Sequence, residues 1–176
     1  MMELWDLYDE NRELLNKEHI RGVPVQDGEY HIVVNIWTIN LDGKILITQR
    51  HPDKSFGLFW ECTGGSVTAG EDSITGALRE LSEEVGITTT ADDLTLINSI
   101  CLKDRFVDTY ITVQNVQLED LKLQKEEVVN AKFVTYEELM TMWDNKLVIP
   151  KERFMNYRNE IKKVIDKLSS NHQHYD

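Results

Sequence analysis

Short runs rich in β-branched and aromatic residues alternate along the chain with polar turns, and two longer stretches space their apolar residues by three and four. Residues 3–9 (ELWDLYD) are aromatic-rich and extended. A polar turn at Glu10-Asn11-Arg12 follows, then a second extended stretch from Leu14 to Ile20, so the segment predicts an N-terminal β-hairpin. Val23-Pro24 and Gln26-Asp27-Gly28 mark a loop. His31 to Ile39 and Lys44 to Gln49 predict two strands, and the Asp42-Gly43 pair in the 40–43 connection is a strong hairpin signal.

His51 to Gly57 reads as a polar loop, and Leu58 to Thr63 as a short strand leading to Gly64-Gly65. Gly64 to Ile87 then reads as a glycine loop, one amphipathic helix and a glycine stop. Strands are predicted over Leu94–Leu102 and Phe106–Leu118, separated by Lys103-Asp104-Arg105. An acidic loop from Lys125 to Asn130 leads into a strand at Ala131–Thr135. One helix is predicted over Tyr136–Trp143 and another from about Lys151 to Leu168. The second follows the Pro150 break and carries an apolar stripe of Phe154, Tyr157, Ile161, Val164, Ile165 and Leu168.

Strands, a helix, strands and then helices predict an α/β (α+β) fold in which helices sandwich a mixed sheet. The expected organisation is a hairpin extension over 1–22, one main domain over 23–168 and a disordered tail over 169–176. The 176 residues are enough for one real core, with 41% hydrophobic and 28% charged positions. A net charge of −12 argues against a nucleic-acid polymer or an anionic membrane as partner. It leaves room for a small phosphorylated ligand that arrives chelated to a divalent ion. Cys62 and Cys101 have no zinc or CxxC spacing. The acidic start lacks an apolar signal-peptide core, and no run approaches the ~18 apolar residues of a membrane span, so a cytoplasmic protein is expected.

At about 100° per residue, Ile74, Leu78, Leu81 and Val85 share one side of the Gly64–Ile87 helix. Glu80, Glu83 and Glu84 fall beside them with Ser73, Gly76 and Ala77, whose small side chains leave space for something to approach. Like charges at i,i+4 disfavour a helix by about 0.2–0.5 kcal/mol per pair. Anions near its C-terminus cost a further ~0.3–1 kcal/mol each when exposed. Arg79 offsets only part of this. A hard divalent cation with oxygen ligands offsets the rest, whereas the plain alternative is a solvated acidic face.

The full spacing is Gly65, five residues, Glu71, seven residues, Arg79-Glu80-Leu81, one residue, Glu83-Glu84, one residue, Gly86-Ile87. This pattern, whose chance occurrence is below about one in a million at ordinary residue frequencies, is similar to the signature of the Nudix hydrolases. The resemblance implies the Nudix α/β/α sandwich with the hairpin appended. It further implies Mg²⁺ (with Mn²⁺ as the alternative) held by Glu80, Glu83, Glu84 and the Gly64 carbonyl, and hydrolysis of a diphosphate linkage in a nucleoside-diphosphate-X type molecule. Arg79 would orient the glutamates, and Glu71 would brace the loop or hold a water. The base is either a helix glutamate or one from the loop before the last strand, where Glu127 fits better than Glu126.

Arg50 and Arg105 are candidate substrate-phosphate partners, with His51 and Lys54 as further ones; each also reads as a surface charge. Trp37 and Trp60 are aromatic enough to stack on a base but suit core packing better. The hairpin offers edges through which two copies of the chain can pair as a homodimer. The WDLYDENRE segment also resembles a subgroup related to isopentenyl-diphosphate isomerase, which implies a second reading. Against it, Cys62 lies too early for the isomerase cysteine, and His31 matches one metal histidine while partners near Pro24 and Val67 are missing. A third reading, a non-catalytic nucleotide sensor, is disfavoured because every signature glutamate is present.

Overall fold

A computed structural model describes residues 3–149 and 154–172. The hairpin pairs β1 (Leu4–Tyr8) antiparallel with β2 (Leu14–Ile20), and Arg12 closes its turn in the left-handed region at φ 65°. There follow β3 (His31–Asn40), β4 (Ile45–Arg50), β5 (Trp60–Glu61), β6 (Thr63–Ser66) and α1 (Ser73–Val85). The chain continues through β7 (Leu94–Cys101), β8 (Arg105–Gln114), β9 (Val128–Val134), α2 (Tyr136–Asp144) and α3 (Phe154–His172).

The mixed sheet is organised on β3. It runs parallel to β8 from the His31–Arg105 pair to the Asn40–Gln114 pair, and antiparallel to β6 from Val33–Ser66 to Ile36–Thr63. The predicted 40–43 turn forms, with the Asn40 N–H donating to the Lys44 carbonyl at 2.9 Å. Yet β3 and β4 share only the Ile39–Ile45 pair, because β6 occupies the rest of that edge. Beyond it β4 pairs with β9 along its length and with β5 at its end.

Period-two alternation along β3 distributes the core over two faces. Ile32, Val34 and Ile36 pack with Leu81 and Val85 of α1. Trp37 and Ile39 pack with Leu139 of α2 and with Phe154, Tyr157 and Ile161 of α3. Each such side chain, removed from water, stabilises the fold by about 1.5–3 kcal/mol. Helices thus cover both faces, as in the expected sandwich.

Several boundaries differ from expectation. Gly64 and Gly65 form part of β6 rather than a loop, because Val34 and Asn35 of β3 pair with them. The strand expected to run to Leu118 ends at Gln114, and β9 begins at Val128 rather than Ala131, because Val128 pairs with Arg50. α3 extends through His172, so 169–172 are helical rather than disordered; Ser169 and Ser170 donate their hydroxyls to the carbonyls of Ile165 and Asp166 at 3.1 and 2.9 Å. The predicted helix start at Lys151 and the tail positions 173–176 lie outside the described residues.

The hairpin is fastened to the main sheet. Tyr8 and Tyr30 exchange both backbone hydrogen bonds, at 2.8 and 2.9 Å, and the Ala69 N–H donates to the Leu4 carbonyl at 2.8 Å. The Gly70 N–H donates to the Asp6 carboxylate at 2.7 Å. These contacts bring both open ends of the hairpin, Glu3 and Arg21, to a cleft shared with Gly64, Gly65 and the second half of α1.

Candidate active site

α1 begins at a cap in which the Asp72 carboxylate accepts from the Thr75 N–H at 2.8 Å, and ends where Gly86 turns left-handed at φ 75°. Its last carbonyls are satisfied from outside the helix: Lys122 N–H donates to Val85 and Gln124 N–H to Glu84, both at 3.0 Å. The 122–127 segment is thereby held against the end of the helix that carries the glutamates. Leu81 and Val85 are fully buried, with Ile74 and Leu78 packed partly against the same core.

The small residues of α1 serve the protein rather than a ligand. Ala77 is fully buried, and a Cβ on Gly76 would come within 2.8 Å of the Val67 side chain. Ser73 is engaged by Asp108 and Tyr110. The expected open surface along the helix is therefore filled by the sheet. The space that remains lies above Gly64 and Gly65. A Cβ on Gly65 would lie 2.3 Å from Glu80 Oε1, so the bare backbone there is what admits the Glu80 carboxylate.

Arg79 ties the carboxylates together. Its Nε donates to both Glu71 oxygens at 3.0 and 3.2 Å, its Nη1 to Glu80 at 2.9 Å and Glu83 at 3.0 Å, and its Nη2 to the Ser66 carbonyl at 2.9 Å. Burial opposes the guanidinium charge, but the carboxylates outweigh it and raise the Arg79 pKa. Glu71 also accepts from the Thr68 N–H at 3.1 Å. Burial works against its charge, and the bonds from Arg79 and Thr68 prevail to lower its pKa. Glu71 thus joins the loop before α1 to the arginine on it.

Glu84 is the most isolated anion of the group. Only 6% exposed, it accepts from the Gly64 N–H at 3.2 Å. Burial, reinforced by Glu61 and Glu80, pushes its pKa up to about 8. Burial likewise raises Glu80, against the pull of Arg79. On the opposite wall Lys54 is paired with Glu127, and burial with Arg50 nearby lowers the Lys54 pKa. Gly64, Gly65, Arg79, Glu80, Glu83 and Glu84 line a cleft of about 140 Å³ together with Lys54, Gln124, Glu127 and, from the hairpin, Glu3 and Arg21.

The donor set suits a hard divalent cation. The three glutamates of α1 and the Gly64–Gly65 backbone line one small cleft, and the buried Glu84 has more anionic than cationic neighbours. Among the described residues no three His, Cys, Asp or Glu side chains converge on one point. Arg79 instead holds Glu80 and Glu83 toward itself.

The other candidates separate. Arg50 donates to Glu61 at 2.5 Å and to the Ser55 carbonyl at 2.9 Å, behind Glu84 and outside the cleft. Arg105 pairs with Asp104 and lines a neighbouring groove. Glu126 is exposed and does not line the cleft, whereas Glu127 does. His51 faces Asp53 at 3.6 Å. Trp37 is buried in the core, and Trp60 lies under the Lys132 ammonium, 4.3 Å from the ring centroid. Cys62 is buried on the α2–α3 side, and His31 is buried beneath Trp5, with ring centroids 4.0 Å apart. Neither of the last two lines the cleft, so the isomerase arrangement is not formed there. No local pattern announces Glu3, Arg21, Glu61 and Gln124, which tertiary packing alone brings to or beside the cleft, and Lys54 carries only its charge as a signal.

Known proteins resemble the chain in sequence and in fold. The NUDIX domain profile matches residues 29–156. An uncharacterised Nudix hydrolase of Listeria monocytogenes is 41% identical over 151 residues, covering 85% of this chain and 89% of its own. A second, from Listeria innocua, is 39% identical over 163 residues, covering 92% and 96%. The crystal structure of a Deinococcus radiodurans protein matches with a TM-score of 0.68 at 23% identity, over 83% of this chain and 91% of that one, which shows the shared fold. The chain belongs to the Nudix hydrolases, enzymes that act on acid anhydrides in phosphorus-containing compounds.

Proposed function

We propose that the protein is a Mg²⁺-dependent hydrolase (Mn²⁺ as the alternative ion) that cleaves the diphosphate linkage of a small nucleoside-diphosphate-X type molecule. The observation that supports this most is the buried, anion-surrounded Glu84 in a cleft shared with Glu80, Glu83 and the Gly64–Gly65 backbone. Glu80, Glu83, Glu84 and the Gly64 carbonyl would hold the ion. When bound, such an ion neutralises the diphosphate oxygens and acidifies the attacking water.

The chain's own residues supply the remainder. Arg79, anchored by Glu71 and the Ser66 carbonyl, sets the direction of Glu80 and Glu83. Lys54 fixes Glu127 on the wall facing them, and the Glu127 carboxylate takes the proton of the attacking water.

A Mg²⁺-supplemented screen of nucleotide, nucleotide-sugar, dinucleotide and prenyl diphosphates tests the reading. The expected result is release of a monophosphate from at least one nucleoside-containing member, abolished by chelation. Conversion of isopentenyl diphosphate to its isomer, or no turnover of any member, would contradict it.

A further inference from the structure

The cleft over the carboxylates, at about 140 Å³, is smaller than the ~300–1,000 Å³ of ordinary small-molecule sites. It has room for phosphates and ions, but not for the organic group they are attached to. A second groove of about 380 Å³ adjoins it. Arg21 lines both, and Ser66 of the groove follows directly on Gly65 of the cleft. The hairpin supplies the wall between the two spaces, and its last residue stands at the junction.

The lining of the groove is amphipathic. Val23, about half exposed, belongs to an apolar lip, and His31 lies deeper, held rigid by the Trp5 ring stacked on it at 4.0 Å and 8°. Asp104 and Arg105 line the polar part, joined by hydrogen bonds of 2.8 and 3.0 Å. They present a carboxylate acceptor next to a guanidinium donor, the two complements of a ring system bearing both hydroxyls and hydrogen-bond acceptors. Asp104 and Arg105 bond to each other and Arg21 to Glu3, and an aliphatic chain laid there would strip the water from their remaining polar atoms without offering hydrogen bonds in its place.

We propose that this groove is the subsite for the organic half of the substrate, a ribonucleoside. Its sugar hydroxyls meet Asp104, its base lies on the Val23 lip, and Arg21 contacts the phosphate that joins it to the cleft. The proposal rests on the diphosphate reading above. It assigns the hairpin a role in specificity, and it explains why the Nudix core alone, with a cleft of this size, does not define which diphosphate is bound.

Calorimetric binding of uncleavable α,β-methylene analogues of ADP, UDP, CDP and GDP, in the presence of Mg²⁺, tests the subsite without turnover. Methylenediphosphonate serves as the control lacking an organic group, and an uncleavable prenyl diphosphate analogue as the control with an apolar one. At least one nucleoside analogue is expected to bind wild type about tenfold or more tighter than methylenediphosphonate, a difference of about 1.4 kcal/mol. The Asp104→Ala/Arg105→Ala variant removes both members of the ion pair. It is expected to bring that analogue down to the control's affinity while leaving the control unchanged, and Val23→Trp, which fills the groove, is expected to do the same. Arg21→Ala should weaken both ligands. Equal affinity of all analogues and control, tighter binding of the prenyl analogue, or variants that bind like wild type would overturn the proposal. Hydrolysis of the parent diphosphates, assayed separately, reports on the hydrolase reading, so failure of either is seen by itself.

Discussion

Arg12 in the hairpin turn grips Asp108 of β8, 96 positions later in the chain, with a hydrogen bond to each carboxylate oxygen. Asp108 is only 1% exposed and also accepts from Ser73 Oγ at the start of α1 and from Ser99 Oγ. Burial opposes its charge, and these donors outweigh it to hold its pKa below the usual value. The N-terminal extension, the central sheet and the helix carrying the glutamates thus meet at one carboxylate.

Removing Arg12 leaves that carboxylate buried and short of a cation. Breaking a fully buried pair costs about 3–5 kcal/mol. Arg12 keeps 33% of its side-chain exposure, so Arg12→Ala is expected to lose about 2–3 kcal/mol in denaturant unfolding. Arg12→Ala/Asp108→Asn should recover part of the loss. Unchanged stability of the single variant would mean that the pair does not fasten the hairpin.

The two adjacent glycines separate stability from activity. A Cβ on Gly64 meets the Val34 carbonyl oxygen at 2.3 Å, an atom of the strand backbone that cannot give way. Gly64→Ala is expected to destabilise the fold by about 1–3 kcal/mol. At Gly65 the obstacle is the mobile end of Glu80. Gly65→Ala should therefore keep its melting temperature within a few degrees while displaced Glu80 lowers kcat by about 100-fold. Thermal unfolding and turnover measured on both variants check the contrast.

The locally encoded half of the site was legible, and the assembled half was not. Arg79, Glu80, Glu83 and Glu84 lie at short fixed intervals on one helix, and Glu71 reaches Arg79 from the loop just before it. Gly76 and Ala77 misled for the same reason: helical spacing says which residues share a face but not what covers it, and Val67 does. β6 has almost no strand propensity and forms because β3 offers it an edge. Arg50 looked like a phosphate partner because its real one, Glu61, comes from a strand pairing that no local pattern announces. Glu3 and Arg21 reach the cleft only through the docking of the hairpin.

His31 sets an acid limit on stability. At 3% exposure beneath Trp5, burial with Arg105 nearby lowers its pKa from 6.5 to about 4. Between these values the unfolded chain binds the proton and the folded one does not, so stability falls as pH drops from about 6.5 toward 4. The maximum loss through this residue is about 3 kcal/mol. Urea unfolding at stepped pH should show this slope in wild type and a flatter one in His31→Gln. Equal slopes in the two proteins would remove His31 as the cause.

Lys54 is expected to act in turnover rather than in folding. It sits half-buried in the cleft against Glu127. Lys54→Met should lower kcat/KM by about 10–100-fold, and Glu127→Gln should lower kcat by about 10²–10⁴-fold if its carboxylate takes the proton. The double variant should be no worse than Glu127→Gln alone, because the lysine acts through the glutamate it positions. Losses that multiply would show that Lys54 acts independently of Glu127.

The central claim is that the glutamates of α1 form the seat of a divalent ion used in breaking a diphosphate bond. Monophosphate release measured against Mg²⁺ concentration for wild type, Glu83→Gln and Glu84→Gln tests it most directly. The account predicts saturable Mg²⁺ dependence in wild type and loss of turnover by about 10²-fold or more in each folded variant. Turnover that is independent of Mg²⁺, or that survives both substitutions at wild-type rate, would contradict it.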